Sequence, residues 1–207
     1  MSGGAGRDHD LDLAVRLLAG TPTHEGRDPL LMGQWALAAE EFGARLSPDA
    51  MTARIVERDG GLTEGLLARF RSRPAQIELY VDTIDRAERL IDERGWRSWF
   101  PEGSVRAAAL AHERAHEHLH HARVRAEFKR ALGHTALRLG RRRVYAHVAG
   151  ADELAAHAYA RVACGLGRSP LLLTEALATA VTQHAGTVQP TRAVHPDRAV
   201  HPDRSEK

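Results

Sequence analysis

The sequence predicts an α+β fold, predominantly helical with a small β-sheet. Three observations carry that expectation. Ala- and Leu-rich segments place apolar residues three and four apart, one short run alternates with a period of two, and Gly or Pro punctuates the stretches between. With 207 residues, 43% apolar and 27% charged, the chain is long enough to bury a core and excludes a disordered or fibrous class. No apolar run approaches the roughly 20 residues of a membrane span. The opening residues lack the basic and apolar regions of a secretory signal. Cys164 is the single cysteine, which excludes an internal disulfide and fits a reducing, cytoplasmic location. The net charge of +2 does not by itself argue for nucleic acid, and neither a nucleic-acid nor a membrane partner is expected. Of 29 basic residues only Lys129 and Lys207 are lysines, a chain-wide bias that lowers the weight of any arginine cluster.

Along the chain, residues 1–8 read as a flexible Gly-rich start, and residues 10–19 and 29–46 have helical apolar spacing. Pro29 sits at a tolerated first-turn position, and Ser47-Pro48 closes the second helix because the residue before proline avoids helical torsions. Residues 52–59 form an extended run closed by Gly60-Gly61. Residues 76–82 form the better strand, with Ile77, Leu79 and Val81 alternating against Gln76, Glu78 and Tyr80. A helix is predicted over 83–94, ending at Gly95. After an aromatic loop holding Trp96, Trp99 and Phe100, Ser104 caps a long helix running to Phe128. Gly133 and Gly140 mark turns, and Arg138, Arg141, Arg142 and Arg143 read as a solvated turn between helices. A helix spans Asp152 to Cys164, and Ser169-Pro170 opens a last one reaching about His184. The tandem AVHPDR copies at 193–198 and 199–204 lie in a tail, 186–207, that reads as disordered. The expected organisation is an N-terminal helical extension (1–50), a main domain (51–185) and this tail.

Five of the 13 histidines fall between positions 112 and 121. His112-Glu113-Arg114-Ala115-His116 is an H-E-x-x-H string, for which this composition predicts only about 0.06 chance occurrences. Histidines four apart on a helix share one face and reach one metal ion, while the intervening glutamate stands beside them as a proton acceptor. Val105, Ala108, Ala109, His112, His116 and Leu119 form one stripe, so both imidazoles share the core-facing side. Imidazole and carboxylate donors favour zinc (Zn2+). Glu153 is the best third donor downstream, with His157 and His120 competing for the role; Asp152 could cap its helix.

These two segments resemble the small metallopeptidases of the ImmA/IrrE type, which have a zincin-like core. His112, Glu113, His116 and His120, followed by Glu153, Ala156, Tyr159 and Ala160, match that family's H-E-x-x-H helix and its E-x-x-A-x-x-aromatic-A helix. The resemblance covers roughly residues 50–166. It implies a zincin-like fold with the motif on a central helix, His112, His116 and Glu153 as zinc ligands, and Glu113 as general base. It further implies a protein or peptide substrate paired to a strand edge. Arg114 and Glu117 stand where the family pattern is usually uncharged. The expected function is a zinc-dependent hydrolase, with His157, Tyr159 and His147 as unranked oxyanion stabilisers. The alternatives are a non-catalytic metal-binding regulatory protein and a ferritin-like di-iron oxidase. The last would use Glu113-x-x-His116 and Glu117-x-x-His120 with partners from Glu40, Glu41 and Glu78.

Overall fold

The computed structural model describes residues 3–48 and 53–187. It is an α+β structure of seven α-helices, a three-stranded sheet and a separate two-stranded hairpin among the described residues. In chain order the helices are α1 (Gly3–Ala19), α2 (Pro29–Ala44), α3 (Val81–Arg94), α4 (Ser104–Leu119), α5 (Ala122–Leu132), α6 (Ala151–Ala163) and α7 (Pro170–Thr187). The strands are β1 (Arg54–Arg58), β2 (Ala68–Ser72), β3 (Ala75–Tyr80), β4 (Thr135–Leu139) and β5 (Arg142–Tyr145).

Local signals set most helix ends. Asp28 caps α2 by accepting the Leu30 N–H at 2.9 Å, with Pro29 in the first turn. Gly95 ends α3 in the left-handed conformation, and Ser169 Oγ accepts the Leu171 N–H at the start of α7. Elsewhere the expectations need correcting. Helix α1 begins at Gly3, so the Gly-rich start is helical from there. Ser104 is the first residue of α4, and the cap position is Gly103 at φ 74°. The long helix breaks after Leu119: His120 caps α4 with helical torsions, and the backbone turns extended at His121 before α5. The expected tail lies outside the described residues except for 186 and 187, which end α7.

The sheet has the order β1-β3-β2, with β1 parallel and β2 antiparallel to the central β3. Strand β2 was not expected, because Arg69 and Arg71 interrupt its apolar signal. Strand β3 does not keep one face in water: Glu78 is buried beside Ile77 and Leu79, and Val81 already belongs to α3. The cause is a clamp. Arg58 and Arg71 each donate from Nε to Glu78, both at 2.9 Å. Burial alone would raise the Glu78 carboxyl, but the hydrogen bonds and charges of Arg71 and Arg58 outweigh it and hold it below the usual carboxylate range. The arginines 138–143 do not form a turn between helices. They lie on the β4–β5 hairpin, whose register pairs Leu137 with Val144 and Arg138 with Arg143.

Helix α6 lies in the middle of the helical layer, against α2 on one side and α4 on the other. The α2 side is lined by small residues: Ala36, Ala39 and Gly43 from α2 meet Ala151 and Ala155 from α6, all fully or nearly fully buried. The approach is so close that a Cβ on Gly43 would stand 2.0 Å from the Ala155 carbonyl oxygen. Around this seam the core adds Trp35, Leu18, Leu154, Leu177 and Phe100. The start of α7 is tied to α1 by Arg168, which pairs with buried Asp10 at 2.7 Å and lies over the Trp99 ring.

Two predictions follow from this packing. Replacing Gly43 with Ala forces α2 and α6 apart and lowers stability by about 3 kcal/mol, read as a fall in the urea midpoint with unchanged slope. Glu78→Gln lowers stability by about 2 kcal/mol at neutral pH. Because the folded carboxyl titrates below the ordinary 4.5, that contribution is complete above 4.5 and disappears as the pH falls through the depressed value. Parallel denaturation of both proteins across the acid range checks the convergence.

Candidate metal centre

Helix α4 packs over the sheet by burying Val105, Ala108, Ala109 and Leu119, the stripe read from the sequence. The same stripe turns His112 and His116 toward α6, leaving each side chain only 15% exposed. Their Nε2 atoms stand 3.0 Å apart. Glu153, in the first turn of α6, brings Oε2 to 3.3 Å from His112 Nε2 and Oε1 to 3.1 Å from His116 Nε2. Among the described residues this is the one group of three His, Cys, Asp or Glu side chains spaced to hold a metal ion.

The geometry tests whether a cation fits. Donors about 2.0–2.1 Å from one tetrahedral zinc stand about 3.3 Å from each other. The three observed separations are close to that value and nearly equal. Two imidazole N–H groups would satisfy the two edges to Glu153 but would face each other across the His112–His116 edge, whereas a cation satisfies all three donors together. The donor set, two imidazoles and a carboxylate, is one that zinc accepts. Buried polar atoms without partners adjoin it: His112 Nδ1 and His157 Nδ1 have no hydrogen-bond partner among the described residues.

Electrostatics follow from the same contacts. Burial opposes ionisation of Glu153, but hydrogen bonds from His112 and His116 hold its carboxyl far below the usual range. Burial lowers His116, yet the carboxylates of Glu153, Glu113 and Asp152 overcome it and raise the imidazole above its ordinary 6.5. His157 is pushed well below that value, first by burial and then by the charge of His112, so it is neutral at physiological pH. Its ring centroid lies 4.4 Å from that of His112.

Glu113 is buried next to the triad, and its Oε2 accepts the Phe70 N–H of β2 at 2.8 Å. Antiparallel ladder bonds alternate, and the Tyr80 N–H donates to Leu67 O at 3.0 Å. Ala68 and Phe70 therefore turn their backbone groups to the free edge of the sheet, away from β3. A cavity of about 490 Å³ opens there. It is lined by residues 65–70 of the β2 edge, by His112, Glu113, His116 and His120 of the histidine helix and its end, by Asp152, Glu153 and His157 of α6, and by Phe100 and the start of α7.

The structure thus brings His112, Glu113, His116 and Glu153 together, with His157 one turn beyond Glu153. Tyr159 and the exposed His147 do not line the cavity, and His120 stands at its margin near Phe70. Asp152 is not the cap of α6, which is Gly150 at φ 80°. Of the aromatic loop only Phe100 reaches the cavity. Of the di-iron partners, Glu78 is held by Arg58 and Arg71, and Glu40 lies within the influence of Arg161 and Asp10. The β2 edge is the part of the site that sequence reasoning missed; its signal was the Ala68-x-Phe70 alternation between two arginines. Comparison with protein-family models, with curated proteins and with solved structures returns no match.

Removing a donor tests the assignment. His112→Ala, His116→Ala and Glu153→Ala each lower zinc affinity at least 100-fold by calorimetry, whereas Glu113→Gln leaves it within a fewfold. Because a proton on His116 competes with the metal and this imidazole titrates above 6.5, wild-type affinity falls with decreasing pH, beginning above 6.5.

Proposed function

We propose that the chain is a zinc-dependent hydrolase, a metallopeptidase with a zincin-like core of the ImmA/IrrE type. The observation that carries this reading is the His112–His116–Glu153 triangle with a buried carboxylate, Glu113, beside it and a free strand edge opposite. His112, His116 and Glu153 would hold the metal. A zinc ion there supplies Lewis acidity, polarising a carbonyl and lowering the pKa of water at the site.

The protein's own groups do the rest. The outward-facing N–H and C=O of Ala68 and Phe70 pair with an extended peptide backbone and set its register. That pairing takes the Phe70 N–H from Glu113 and leaves the carboxylate as the proton acceptor. Glu113 removes a proton from the attacking water and returns it to the leaving amine. His157, neutral and carrying one ring N–H, is the oxyanion donor that lies in the cavity, unlike Tyr159 and His147.

One observation favours a second reading. With Glu113 engaged by Phe70, the same triad also suits a non-catalytic metal site in a regulatory protein. Cleavage of a generic peptide library separates the two. The wild type with one zinc cleaves, and Glu113→Gln with equal zinc loses about 10³-fold or more in rate. A fully zinc-loaded wild type that cleaves nothing overturns the hydrolase and leaves the regulatory site.

A further inference from the structure

The β4–β5 hairpin projects from between α5 and α6 and takes no part in the metal centre. Residues 122–145 hold eight Arg and Lys side chains against one acidic residue, Glu127, a net of +7 in a chain that nets +2. The remainder therefore nets −5, so the molecule is strongly polarised. Arg138, Arg141, Arg142 and Arg143 are exposed, and none forms an ion pair among the described residues. The register gives this cationic ribbon a second property. Leu137 and Leu139 alternate onto one face, and Val144 is paired with Leu137 on it. These side chains are 53%, 60% and 48% exposed.

We propose that this hairpin docks on an anionic lipid bilayer surface, its arginines meeting headgroup phosphates and Leu137, Leu139 and Val144 entering the interface. Charge complementarity selects the occupant: an anionic surface attracts this segment and repels the rest of the chain, which orients the molecule. The apolar face selects a bilayer over a nucleic-acid duplex. A duplex would pair with the arginines through its phosphates but would leave the three aliphatic side chains without a desolvated partner, whereas an interface takes up both. Self-association through the hairpin would bring four arginines of each copy together without a compensating acid.

Sedimentation of the full chain with vesicles tests the inference. Equimolar phosphatidylglycerol and phosphatidylcholine vesicles are expected to carry the protein down, and pure phosphatidylcholine vesicles are not. Replacing Arg138, Arg141, Arg142 and Arg143 together with Gln is expected to weaken binding at least tenfold, as is Leu137→Ser with Leu139→Ser. Zinc content and circular dichroism report whether each variant is folded, and Arg141→Gln at the exposed turn, with a smaller loss, serves if the multiple variants are not. Absence of binding to the anionic vesicles overturns the proposal. So does loss on arginine replacement alone combined with tighter binding to a DNA duplex, which would make the hairpin a phosphate-backbone surface. Neither result bears on peptide cleavage, so failure here is distinguishable from failure of the hydrolase reading.

Discussion

The position of Glu153 depends on how closely α6 can lie against α2. A carboxylate is short, and it meets both imidazoles of α4 only if its helix runs through the middle of the layer with little side-chain volume on the opposite side. Gly43 and Ala155 provide that, with the backbone of one helix against a site where the other has no Cβ. Ala36, Ala39 and Ala151 continue the seam. A larger residue there would move α6, and the three donors would no longer lie equidistant. The seam holds none of the three donors, yet it sets their geometry.

Without a cation, that geometry leaves the Nε2 atoms of His112 and His116 facing each other at 3.0 Å while both turn to Glu153. Two largely buried imidazoles and a half-exposed carboxylate are drawn within about 3.3 Å of each other. Buried polar groups ordinarily find hydrogen-bond partners, and here two ring nitrogens, His112 Nδ1 and His157 Nδ1, do not. Elsewhere the protein treats buried charge in the opposite way: Glu78 is flanked by two arginines and Asp10 is paired with Arg168. The contrast between fully compensated structural carboxylates and donors that converge on one another marks the centre as a place for a ligand.

Much of this was legible in the sequence, because helical spacing translates directly into shared faces. His112 and His116 at i and i+4, and Glu153 at the start of a second helix, needed no tertiary information beyond the antiparallel packing of two helices. The strands were harder. In β2 the arginines occupy every second position, and their sequence signal is that of a charged loop. Glu78 looked solvent-facing for the same reason, since pairing with two arginines leaves no apolar signature. The β4–β5 hairpin buries almost nothing, and its one short alternation, Leu137-Arg138-Leu139, is too brief beside four arginines to distinguish it from a turn. The break at His120 reflects a helix end set by where α5 must go, with Phe128 packing on Phe42, a constraint that lies outside the segment itself.

Glu113 joins the strand that sequence reasoning missed to the motif it found. The Phe70 N–H lies on the open edge of β2 and would be exposed to water or to a pairing strand if the carboxylate did not accept from it. An extended backbone that adds to this edge must supply a carbonyl at that position, and the N–H cannot serve both acceptors with full strength. If a peptide binds this edge as proposed, its binding and the release of the carboxylate are one exchange of hydrogen bonds, nearly balanced in number. A small molecule that enters the cavity without pairing to the edge leaves Glu113 where it is. On the proposed reading, edge and base act as a single element, and discrimination for an extended polypeptide would reside in the backbone of β2 before any side chain of the ligand is considered.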